Sequence, residues 1–255
     1  MFSRFIKETI FYLLSLLVAF LFHISVSIPI TFSNSYLQQG FGWFCTIIQI
    51  FLKPIEVFFH EASHALVGML FGREIYGLSI NWNGFGQVRM EEADKLELAV
   101  TAFAGYVGAA VWGYLIYVSS LHEKRYTRAL LFIFCLTFLY QCSNLQSVLI
   151  ILTIMLVFLL SWIFTILGSY LLRFIGIFIM VSAIFSPAYL FNYTNAGDHI
   201  IMQSITGIDS ILWIACWMFI GGICLLHAYS ALTFKAARFG QATERTIKTS
   251  AVYKN

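Results

Sequence analysis

A chain of 255 residues that is 60% hydrophobic, 18% aromatic and only 11% charged is too apolar for a water-soluble domain, in which about 45–50% apolar and about 25% charged residues are usual. Its net charge of +3 is small, and the basic residues gather in short loops and near the C-terminus, which fits anchoring at a lipid bilayer and argues against nucleic-acid binding. Cys45, Cys135, Cys142, Cys216 and Cys224 are scattered without a C-x-x-C pair, so neither a disulfide framework nor a thiolate metal site is indicated.

The composition predicts an all-α polytopic membrane protein with about six or seven transmembrane helices. Arg4 and Lys7 precede an apolar run from Ile10 to Phe22 that continues to Ile30. That is long enough for a spanning helix, so a retained first helix is preferred over a cleaved leader. His23 has no partner at helical spacing and reads as a hydrogen-bonded interior residue. After the charge-free loop Thr31 to Gly40, the run Phe41 to Phe71 exceeds one perpendicular crossing. Lys53-Pro54 interrupts it, and because proline suits the first turn of a helix, a fresh or kinked helix is expected to start there.

That helix carries His60-Glu61-Ala62-Ser63-His64. Positions i and i+4 lie one turn apart on one face, so both imidazoles can point at one ion. Zinc takes neutral His nitrogens at about 2.0–2.1 Å and, in catalytic sites, keeps one position open for water. Glu61 is displaced around the helix from both ligands, which suits a general base acting on that water. Glu56, one turn before His60, either orients that imidazole or balances Lys53.

Beyond Gly72 the pattern changes. Ile75 to Ile80 and Gln87 to Met90 flank Asn83-Gly84-Phe85-Gly86 and predict a short β-hairpin after the metal helix. Its edge either holds an extended peptide by strand addition or merely caps the bundle. The next span, Leu96 to Ser119, contains Gly105, Gly108, Ala109, Ala110 and Gly113, and this small-residue face is expected against the metal helix. The basic loop His122 to Arg128 precedes three apolar stretches, Ala129 to Tyr140, Val148 to Leu167 and Leu171 to Leu190, with breaks at Gln141 to Ser147 and Gly168-Ser169. The first of these is short and is expected to recruit residues past Gln141. Asn144 and Arg173 read as loop or interface residues.

Catalytic zinc needs a third protein ligand. Asp198, in the polar stretch Asn192 to His199 and just after Gly197, is the leading candidate. Asp209 is accounted for as an N-cap of the final span, Ile211 to Leu232. Glu74, Glu91, Glu92 and Asp94 are alternatives in the hairpin region. His199 is a further alternative, though it reads better as a surface residue, and His227 reads as packed interior. Asn192 or Asn195 is a candidate oxyanion helper. Residues 1–234 read as a single membrane-embedded domain, and 235–255 as a basic, flexible tail whose charge favours a cytoplasmic C-terminus.

The His60 to His64 motif in an apolar helix, the hairpin after it, the Gly105 to Gly113 helix and a late Asp before the last span together resemble the site-2 protease family of intramembrane zinc metalloproteases. The likeness is greatest to small bacterial members without PDZ or CBS domains, and it covers about residues 41–232. It implies Zn2+ held by His60, His64 and Asp198, Glu61 as catalytic base, membrane-associated protein or peptide substrates, and a multi-pass protein of the bacterial cytoplasmic membrane. Ser63 and Ala109 stand where the family commonly has Gly and Pro. Asp198 is followed by His199 where Gly is usual, and no Asn-Pro pair precedes it. The competing classes are a transporter or metal carrier with the same cluster as a transit site, and a non-cleaving binder of membrane helices. No second copy of the motif suggests a transporter's internal repeat, and a site kept only for binding has no need of Glu61.

Overall fold

The computed structural model describes residues 2–27, 35–122, 125–192 and 196–252. Those residues form helices α1 (Phe2–Ser27), α2 (Ser35–Phe51) and α3 (Lys53–Leu70), strands β1 (Ile75–Ile80) and β2 (Gly86–Met90), and helices α4 (Lys95–Leu121), α5 (Arg125–Leu139), α6 (Leu145–Ile163), α7 (Thr165–Tyr189), α8 (Asp198–Thr206) and α9 (Ser210–Val252). Six helical segments are long and apolar enough to cross a membrane: Phe5–Val26, Ser35–Leu70, Lys95–Leu121, Leu145–Ile163, Thr165–Tyr189 and Ser210–Lys235. A helix satisfies its own backbone, so an apolar one can present its side chains to lipid without cost to polar groups. On α6, Ile150, Ile151, Ile154, Met155 and Phe158 are buried at helical spacing, while Leu152, Leu156 and Leu159 are exposed.

α7 lies at the centre of the bundle against α4, α9, α1 and α6. Gly113 of α4 and Gly176 of α7 let two backbones meet: a Cβ on Gly176 would stand 2.6 Å from the Gly113 carbonyl oxygen. Pro54 sits in the first turn of α3, which begins anew after Leu52 at the end of α2, as the Lys53-Pro54 pair predicts. His23 is buried, with Nδ1 3.1 Å from the Tyr189 hydroxyl and Nε2 2.9 Å from the Ser182 hydroxyl. The Asp209 carboxylate accepts from the Ile211 amide at 2.9 Å, which caps α9.

The hairpin forms where expected, with Gly77↔Arg89 and Leu78↔Val88 in antiparallel register and an irregularity at Tyr76. Its first strand packs into the bundle: Leu78 and Ile80 are fully buried. The Leu78 amide donates to the Gln141 carbonyl at 2.7 Å, and the Ser143 amide to the Leu78 carbonyl at 2.9 Å. α5 therefore stops at Leu139 and does not recruit residues past Gln141, because the backbone there pairs with β1. Non-helical backbone at such depth must find protein partners.

Other expectations are corrected. The turn between α6 and α7 falls at Phe164, not at Gly168-Ser169. Gly168 permits contact instead, since a Cβ there would lie 2.3 Å from Ser161 Cα. Of the two readings of Arg173, loop or interface, the second holds: it is buried within α7 and donates to Glu8 of α1. His227 is exposed on α9, whose only buried residues nearby are Gly221, Ala228 and Leu232. The backbone of α9 continues helical through Val252, while the apolar span within it ends at Lys235.

Candidate metal centre

α3 presents the motif on its inner face, with Glu61, Ser63 and His64 buried. His60 Nε2 and His64 Nε2 lie 3.0 Å apart, and each lies 3.3 Å from Asp198 Oδ2. Among the described residues these three side chains form the one group of His, Cys, Asp and Glu suited to a metal ion. Glu74, Glu91, Glu92, Asp94 and His199 are not part of it. His199 is buried, not on the surface, because the first turn of α8 packs inward.

The donor set fits zinc. Tetrahedral ligand atoms at about 2.0–2.1 Å from an ion stand about 3.3–3.4 Å from one another, close to the observed triangle. A carbonyl only accepts, so the 2.6 Å contact between His64 Nδ1 and the Thr101 carbonyl fixes the proton on Nδ1 and leaves the Nε2 lone pair facing the centre. Burial raises the affinity of the Asp198 carboxyl for its proton, but the His64 and His60 imidazoles outweigh burial and hold the carboxyl below the usual range. Ligand atoms this close need a cation or a shared proton between them.

Close backbone approach makes the site possible. A Cβ on Gly105 of α4 would stand 2.5 Å from His64 Nε2 and 2.6 Å from His60 Cε1, so the small-residue face of α4 packs on the metal helix as expected. Gly108 likewise faces Ser63. Asp198 arrives from α8, whose entry is turned by Gly197 at φ 117°. α8 is held by a small separate core in which Met202 packs with Ala99 and Ala102 of α4 and Ile214 and Trp217 of α9. Glu56 takes the simpler of its two expected roles: Lys53 Nζ lies 2.6 Å from it and the Ser186 hydroxyl donates to it at 3.1 Å. Asn192's side chain and Asn195 lie outside the described residues.

A cavity of about 1910 Å³ opens onto His60, Glu61, His64 and Asp198, with β2 along one wall. Three contributors are invisible in the motif: the Thr101 carbonyl, Gly86, and Tyr106, whose ring stands 4.4 Å from that of His60. Tyr106 carried one signal, as the aromatic residue inside a small-residue run. A backbone carbonyl carries none.

A multi-pass helical bundle that gathers two histidines and an aspartate beside a buried glutamate is a membrane protein with the site plan of a metal-dependent peptidase. Residues 40–228 match the family described as Peptidase M50B-like, and the chain belongs to that family, the site-2 proteases. Neither a curated protein nor a solved structure matches it.

Proposed function

We propose that the chain is an intramembrane zinc endopeptidase that cleaves membrane-associated protein or peptide substrates in the bacterial cytoplasmic membrane. The observation that carries this reading is the convergence of His60 Nε2, His64 Nε2 and Asp198 Oδ2 within 3.3 Å on the same cavity as the buried Glu61. Zinc bound there supplies Lewis acidity that acidifies water and polarises a scissile carbonyl. Glu61 takes the proton of the attacking water and returns it to the departing amine.

A transmembrane helix shields its peptide bonds by bonding them internally, so a substrate must be held extended at the site. β2 suits that task. Leu78 spends both backbone groups on Gln141 and Ser143, so the Leu78↔Val88 pair is a non-hydrogen-bonded one, and Val88 turns its N–H and C=O away from β1. That open edge borders the cavity and supports strand addition by the substrate. Purified protein is expected to carry about one zinc. Glu61→Gln is expected to keep the metal and abolish cleavage, and a fully active Glu61→Gln variant would refute the assignment.

A further inference from the structure

The two imidazoles are held by different means. His64 is oriented by the Thr101 carbonyl, whereas Nδ1 of His60 is buried with no hydrogen-bond partner among the described residues. Glu56, one turn away, is committed to Lys53 and Ser186. A metal-holding histidine ordinarily donates its second ring nitrogen to a carboxylate, a carbonyl or water, which fixes the ring. His60 instead has an aromatic neighbour. The Tyr106 ring lies 4.4 Å from the His60 ring at 69°, edge to face, the arrangement that sets the positive rim of one ring against the negative face of another. Tyr106 is backed by Trp217 at 4.9 Å. Trp217 is itself buried and donates its indole N–H to the Phe103 carbonyl at 3.2 Å. Gly105, the preceding residue of α4, also lies against this ring, 2.6 Å from His60 Cε1 to its notional Cβ.

We infer that Tyr106 is the positioning residue of His60: its ring, braced by Trp217, packs on the imidazole and sets it for metal binding. The inference rests on the zinc reading above. It locates the effect in the ring and not in the hydroxyl.

The test is zinc affinity of the purified full-length protein, measured by competition with a chromogenic chelator, with the thermal midpoint of the metal-free protein as the check on folding. Tyr106→Phe is expected to stay within about threefold of wild type. Tyr106→Leu is expected to bind about 10–100-fold more weakly, the usual cost of losing an orienting partner. Pentafluorophenylalanine at position 106 keeps the ring's shape but reverses its charge distribution. It is expected to weaken binding relative to phenylalanine, which a purely steric role would not do, and it serves if Tyr106→Leu does not fold. Equal affinities for phenylalanine and its fluorinated analogue, or a Phe variant as weak as Leu, would overturn the inference. A wild-type protein that takes up no zinc would instead sink the proposed function itself.

Discussion

Gly86, the first residue of β2, lies against the carboxylate of Glu61: a Cβ built on it would stand 2.5 Å from Glu61 Oε1 and 2.6 Å from Val57 Cγ1. The hairpin and the proposed base are thus in direct contact, and only glycine permits the contact. Gly86→Ala must displace either the strand or the carboxylate. A shift of about 1 Å at a reacting group costs about 100-fold in rate. The expected outcome is a fall in turnover of that order with zinc content unchanged, read by peptide cleavage and metal analysis side by side. Undiminished turnover would show that Glu61 needs no such fit.

Gly105 makes the complementary case, because its notional Cβ meets the metal-facing nitrogen of His64 at 2.5 Å. Gly105→Ala is expected to lower zinc affinity by at least about tenfold, and the loss of cleavage follows from that. The two glycine variants therefore separate base from metal: one keeps zinc and loses rate, the other loses zinc. Retention of stoichiometric, tight zinc by Gly105→Ala would contradict the observed packing of α4 on α3.

What could be read from the chain alone follows from how local each signal is. His60, Glu61 and His64 share one helical turn, so their spacing declares their common face. The hairpin is bounded by turn residues, and Asp198 stands out because the chain has few aspartates and Asp209 is taken by a cap. The membrane spans follow from run length. The Arg173–Glu8 pair, the end of α5 and the support of His60 by Tyr106 were not legible, because each depends on residues far apart in sequence meeting in the folded bundle. His199 and His227 were misplaced in opposite directions, one buried and one exposed, since a lone histidine has no periodicity from which its face can be told.

The open edge of β2 makes a separable prediction. The Val88 N–H points away from β1, so Val88→Pro removes a donor that the hairpin does not use, in a strand position where proline is tolerated. One hydrogen bond contributes about 0.5–1.5 kcal/mol. KM for a peptide substrate is therefore expected to rise about three- to tenfold, with zinc content and thermal midpoint unchanged. Leu78→Pro, which removes the donor to Gln141, is expected to destabilise the fold instead. If Val88→Pro cleaves with unaltered KM, substrate does not add to this edge.

Arg173 and Glu8 pair within the bundle, their side chains 4% and 11% exposed, with the guanidinium 4.9 Å from the centre of the Tyr170 ring. Withdrawing two charges from water costs several kcal/mol each, and their attraction offsets this only while both are present. Removing one partner leaves the other buried and uncompensated, at a cost of about 3–5 kcal/mol. Arg173→Met is therefore expected to lower the unfolding midpoint in detergent sharply, and the double variant Glu8→Met with Arg173→Met to recover most of the loss. The site lies on α3, α4 and α8, so the double variant is also expected to retain zinc. Should it unfold as readily as the single variant, the pair would be holding α1 on α7 through specific geometry that apolar side chains do not replace.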